Sequence, residues 1–169
     1  GTRIDMGLED AEVLVARREP GRDQHYFDNL MNKRMALFNG YHYGFAGFNN
    51  DPKWLEQNFN AVLTYSHESN IRLLLLGRVD MAPITRSWLG ARLREQPQLR
   101  EQLLVSDWED QRYRHYAILS PQAPISAEDL RNTLQLLRDN GEMKRIFAPY
   151  GIDVRSNVAG SSATASASD

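Results

Sequence analysis

Cysteine is absent from the 169-residue sequence. That excludes disulfides, thiolate-bound zinc, iron–sulfur clusters and thiol nucleophiles. It leaves the redox compartment open, because a chain without thiols persists in either environment. Long apolar runs are missing too: the densest, residues 71–76, contains Arg72 and falls far short of the ~20 residues of a membrane span. Charge of one sign is also lacking. Twenty Lys+Arg stand against 22 Asp+Glu, a formal net charge of −2, which argues against a dedicated nucleic-acid binder. The chain opens Gly-Thr-Arg-Ile-Asp and carries no signal-peptide pattern at its start, as expected of a trimmed or internal segment.

With 41% apolar and 25% charged residues, the composition is that of one soluble globular unit, large enough to bury roughly two thirds of its unfolded surface. Short strands are expected at residues 12–18, 34–38, 61–65, 79–84 and 113–119, bounded by Pro, Gly and Ser. Helices are expected from the Asp51 cap with Pro52 in the first turn, from Ser66 to Leu76, over 86–95, from Ser126 with Glu128 and Asp129 in its first turn, and over 142–150. This alternation implies an α/β fold with a largely parallel sheet. Asp107, Glu109 and Asp110 read as a solvated turn. The Ser-, Ala- and Gly-rich end reads as a disordered tail.

Leu73-Leu-Leu-Leu-Gly-Arg-Val-Asp-Met-Ala82 resembles a hallmark of the bacterial extracellular solute-binding proteins of the amino-acid-binding type (family 3). In that family a helix ends in Gly-Arg-x-Asp-Ala and leads into a strand at the ligand cleft. Three further stretches agree in order and spacing. Asp28-Asn-Leu-Met-Asn-Lys-Arg-Met-Ala-Leu-Phe-Asn-Gly40 is similar to the start of the second lobe. Tyr113-Arg-His-Tyr-Ala-Ile-Leu-Ser-Pro121 is similar to the strand returning through the hinge, and residues 130–151 to the closing helices. The resemblance covers about residues 12–152.

It implies a periplasmic binding protein-like (type II) α/β fold, present here as the second lobe plus C-terminal helices, with most of the first lobe lacking. Residues 1–21 would be a first-lobe remnant and hinge strand, 22–112 the second lobe, 113–152 the return strand and helices, and 153–169 the tail. It further implies capture of a small polar, anionic or zwitterionic solute between lobes, a periplasmic location, and a transporter permease or sensor as partner. A domain-swapped homodimer is a further expectation, since hinge strands would otherwise expose unpaired edges.

The expected ligand-binding residues are Asn39, Gly40, Tyr41, Tyr43, Ser66, Thr85 and Arg86. The 39–45 loop, Gly-containing and between a strand and a helix, would offer backbone donors to an anionic group. Tyr41 and Tyr43 would stack on a ligand or pack against the lobe. Ser66 would cap a helix at the cleft. Thr85 stands where relatives keep an Asp for the ligand ammonium, and Arg86 beside it would attract carboxylate or phosphate or lie solvated in a first turn. Asp80 reads as a structural turn residue.

No catalytic set, metal site or cofactor is expected. His25, His42, His67 and His115 lack the spacing of a helical zinc site, and no Gly-x-Ser-x-Gly elbow or phosphate loop occurs. The alternatives are a sensor or regulatory domain of the same fold, a periplasmic dehydratase-like enzyme needing an acid–base pair, or a lobe that binds a protein or peptide.

Overall fold

The computed structural model describes residues 1–156. Its backbone is organised by two long strands, β1 (Thr2–Arg17) and β5 (Leu103–Leu119), paired antiparallel from Thr2–Leu119 to Arg17–Leu103. Between them come β2 (Met35–Phe38), α1 (Pro52–Phe59), β3 (Ala61–Thr64), α2 (His67–Leu75), β4 (Ala82–Thr85), α3 (Arg86–Glu95) and the short α4 (Leu99–Gln102). After β5 follow α5 (Ala127–Asp139), α6 (Glu142–Phe147) and a two-residue strand, β6 (Asp153–Val154). No helix among the described residues is long and apolar enough to cross a membrane.

Local chemistry places the helix starts where the sequence signals them. Asp51 accepts from the Trp54 amide at 2.8 Å, Ser66 from Ser69 at 3.1 Å and Ser126 from Asp129 at 3.0 Å. Each satisfies an N–H that the first turn leaves without a partner. Gly77, at φ +66°, follows α2 and turns the chain toward β4.

The sheet differs from the expected, largely parallel one. β2 and β3 are parallel, and a parallel bridge from Met35 to Met81 aligns β2 beside the residues leading into β4. Beyond that point β4, β1 and β5 run antiparallel. The order across is therefore β3, β2, β4, β1, β5, half of each kind. Strand alternation puts Val13, Val15 and Ile84 on one face, under α2 and α3, and Leu14, Ala16, Leu37 and Met81 on the other, under α1. Both faces are covered. The far ends of β1 and β5 leave this unit and meet α5 and α6 around Ile4, Leu8, Leu134 and Met143.

Three expectations are corrected. The crossing strands foreseen at 12–18 and 113–119 do not pair with each other. Residues 12–17 pair with 103–111, inside the larger unit, and 113–119 pair with 2–10. Residues 107–110 are strand, not turn: the carboxylates of Glu109 and Asp110 find partners, and Asp107 stays exposed. The foreseen tail begins too early: Asp153 and Val154 pair with Glu9 and Leu8, and Arg155 binds Asp5 at 2.5 Å. The rest of that tail, 157–169, lies outside the described residues.

Candidate functional site

Midway along β1, at the edge of the larger unit, an acidic residue interrupts the apolar run 11–16. Glu12 is 1% exposed. Its Oε1 accepts from the Thr85 hydroxyl at 2.7 Å and from the Tyr113 hydroxyl at 3.2 Å. Thr85 ends β4 opposite Glu12 in the antiparallel register, so the sheet itself brings the two together. Thr85 Oγ1 also lies 2.9 Å from His67 Nε2, at the start of α2. With its proton given to Glu12, that hydroxyl accepts, so His67 is the neutral Nε2–H tautomer. A directed chain results: imidazole to hydroxyl to carboxylate.

Burial raises the Glu12 carboxyl to about 7, with the charges of Asp10 and Asp110 adding to the rise against the two hydroxyl bonds. Burial also lowers His67 to about 4. Rings surround the imidazole: Trp88 at 5.3 Å, Phe38 at 5.4 Å and Tyr41 at 5.8 Å between centroids. Tyr41, Thr85, Trp88 and Tyr113 are half-buried, more open to solvent than Glu12 and His67.

The foreseen site residues divide. Tyr41 and Thr85 belong to this cluster. Tyr43 does not reach solvent: it is fully buried, stacked on Phe45, and its oxygen accepts from the Phe38 amide at 2.9 Å. The large apolar ring follows the inner face of the loop, so the packing alternative is the one realised. Asn39 donates to the Tyr65 hydroxyl at 3.1 Å, and Gly40 turns the loop at φ +85°. Ser66 caps α2, one residue before His67.

Arg86 is not free for an anion. It binds Glu109 and Asp153, each at 3.0 Å. Four of the seven amides of the 39–45 loop are taken as well. Asp110 accepts from Gly44 at 2.6 Å and Phe45 at 2.7 Å, while Asn39 and Tyr41 donate to Thr64 and Phe38 carbonyls. The approach is so close that a Cβ on Gly44 would lie 2.6 Å from the Asp110 carbonyl oxygen. An internal carboxylate thus occupies the two donors at the far end of the loop.

Glu12, His67, Trp88 and Tyr113, the other members of this cluster, are not among the residues the sequence singles out. Only Glu12 left a local sign, a charge inside an apolar strand. The others join through sheet register and packing. Asp80, read as structural, holds the Arg34 guanidinium at 2.9 Å and the Arg34 amide at 2.7 Å. Among the described residues no group of three or more His, Asp or Glu is arranged to hold a metal.

No protein-family model matches the sequence, and no curated protein does. Solved structures do. The chain is similar to the GluR0 ligand-binding core from Nostoc punctiforme in complex with L-glutamate, with TM-score 0.60 and 14% identity over 86% of this chain and 62% of that one. An amino-acid ABC transporter substrate-binding protein from Streptococcus pneumoniae, bound to L-arginine, gives 0.62 and 16% over 89% and 61%. A histidine kinase sensor domain with similarity to periplasmic binding proteins gives 0.60 and 20% over 89% and 63%. At these identities the likeness establishes the fold, periplasmic-binding-protein-like. The chain spans about three fifths of the length of these structures.

Proposed function

We propose that this chain captures a small polar solute, a zwitterion in preference to an anion, at the surface formed by Tyr41, Thr85, Trp88 and Tyr113. The observation that carries the reading is a buried polar chain, Glu12–Thr85–His67, lying directly behind half-exposed aromatic rings. Pockets for small ligands combine such rings with a few fixed polar groups. The position supports it as well. The cluster sits where β1 and β5 pass from the larger apolar unit toward α5 and α6, so a solute there would lie between the two. In this reading residues 22–112 form most of one lobe, and closure about the crossing strands holds the ligand.

The preference for a zwitterion over an anion rests on Arg86, whose charge is matched by Glu109 and Asp153, and on the Gly44 and Phe45 amides, which Asp110 already occupies. Neither a metal nor a cofactor enters this reading. A transporter permease is the proposed partner, the location periplasmic, and the role binding rather than catalysis. The likeness to a kinase sensor domain favours, as a second reading, the same capture event used for sensing.

Thermal-shift screening against amino acids, dicarboxylates and small phosphates tests the capture. A true ligand at 100 times its Kd adds about 2.7 kcal/mol and raises the melting temperature by several degrees. No shift with any of these solutes overturns the reading.

A further inference from the structure

The stretch from Phe147 to Arg155 touches both units of the fold and holds them by different means. Its grip on the C-terminal unit is apolar and main-chain. Phe147, Ile152 and Val154 pack against the cluster of Ile4, Leu8, Leu134 and Met143. Asp153 and Val154 pair with Glu9 and Leu8 of β1, and the Arg155 amide donates to the Gly7 carbonyl at 2.8 Å. The Arg155 side chain adds ion pairs to Asp5 at 2.5 Å and to Glu9 at 3.1 Å.

Its grip on the larger unit is polar and shallow. Asp153 binds Arg86, the first residue of α3, at 3.0 Å. A Cβ on Gly90 would stand 3.4 Å from the Tyr150 carbonyl oxygen, and the Arg94 guanidinium lies 5.0 Å from the Tyr150 ring centroid. Positions 86, 90 and 94 recur every four residues, so one face of α3 receives the whole stretch. The apolar cluster under α3 takes in Trp88, Leu89 and Leu93 but no residue of 147–155.

Such a contact can let go. When Asp153 leaves, Arg86 keeps Glu109 at 3.0 Å, and Asp153 keeps Arg112 at 2.8 Å. Neither becomes a lone buried charge, the case in which breaking an ion pair is costly. The Arg86 and Asp153 side chains are 25% and 54% exposed, a setting where a pair contributes little and salt screens it.

We infer that residues 148–155 form a strap across the junction, anchored on the C-terminal unit and releasable from α3, that limits how far the two units open. α3 begins directly after Thr85, so the strap draws one border of the Tyr41–Thr85–Trp88–Tyr113 surface toward the C-terminal unit. Its hold needs no solute and biases the empty chain toward the orientation described above. The strap goes beyond solute capture and does not depend on which solute the chain takes.

The test needs no ligand, so its failure and the failure of capture are separate results. The chain has no cysteine, so nitroxides attach only at introduced ones. Glu56→Cys on α1 and Arg131→Cys on α5, both exposed, report the distance between the units in the full chain by pulsed electron resonance. At low salt the native distribution should be narrow. Asp153→Ala, or about 1 M NaCl, where the Debye length falls to about 3 Å, should enlarge a second, displaced population by roughly fivefold. Arg94→Ala should act in the same direction more weakly. Glu142→Ala, which breaks only the Arg145 pair on α6, should leave the distribution as it was. A native distribution already broad at low salt, an unchanged one in Asp153→Ala, or equal broadening in Glu142→Ala overturns the strap. Should Asp153→Ala fail to fold, the salt series on the otherwise native chain decides, and insensitivity to salt overturns it.

Discussion

The two ends of the β1–β5 ribbon differ in how completely they bury themselves. Around residues 12–17 and 103–105 the ribbon is covered on both faces, by α2 and α3 on one side and α1 on the other. Around residues 2–8 and 115–119 it meets α5, α6 and β6, and just four apolar side chains there are buried. Ile118, Ile125, Leu136, Ile146 and Tyr150 stay exposed at that end. Strength of packing is therefore local. One end has its own two-sided core, and the other leans on a thin layer of helix and on ion pairs. Glu12 stands at the junction.

The sharpest way to break this comparison is to empty each core. Leu14→Ala, at a fully buried position in the larger unit, should cost about 3–4 kcal/mol, and Leu134→Ala under the C-terminal helices about half of that. Urea denaturation of the two variants decides it. An equal or larger loss from Leu134→Ala contradicts the ranking.

The junction responds to pH in a way neither core does. Glu12 ionises near 7 when folded against an ordinary 4.5, so the unfolded chain releases that proton first. Its contribution to stability therefore falls as pH rises from about 4.5 to 7. His67 ionises near 4 against 6.5, so its contribution falls as pH drops from 6.5 to 4. Between about 4.5 and 6.5 these opposed slopes cancel in the native protein. His67→Phe should uncover the Glu12 slope, a loss of about 3 kcal/mol by pH 7.5 relative to pH 4.5, and Glu12→Gln the opposite trend. Melting curves across pH check the signs, and a Glu12→Gln protein that keeps the native profile contradicts them.

A smaller effect is expected at the loop. Gly44→Ala forces a methyl against the Asp110 carbonyl and should cost about 2 kcal/mol, measured by chemical denaturation. The smallest belongs to the ion pairs. Arg112→Ala removes contacts to Glu9, Glu109 and Asp153 on an exposed surface, worth about 1 kcal/mol or less and fading with added salt.

These contrasts also separate what the sequence discloses from what it hides. Helix starts at Asp51, Ser66 and Ser126 are legible because a cap and its amide lie three residues apart. The apolar run in β1 is legible through its β-branched and small residues. The first ten residues of β5 are not, because Asp107, Glu109 and Asp110 break the apolar pattern, and Glu109 and Asp110 find partners far away in sequence. Asp110, for example, meets amides more than sixty positions earlier. The Glu12 cluster is hidden for the same reason: β1, α2, β4 and β5 each contribute one polar group. Thr85 stands out in the sequence for what it is not, an acid. The acid stands opposite it on β1.

The three tryptophans allow one direct test of where a solute lands. Trp88 borders the Glu12 cluster, whereas Trp54 belongs to α1 and Trp108 lines a separate groove of about 510 Å³ with Phe27 and Leu30. Indole N–H resonances of the ¹⁵N-labelled chain should be followed during addition of a mixture of L-amino acids. A shift of the Trp88 signal with Trp54 and Trp108 unmoved is the outcome the account predicts. Movement confined to Trp108, or none at all, would contradict it.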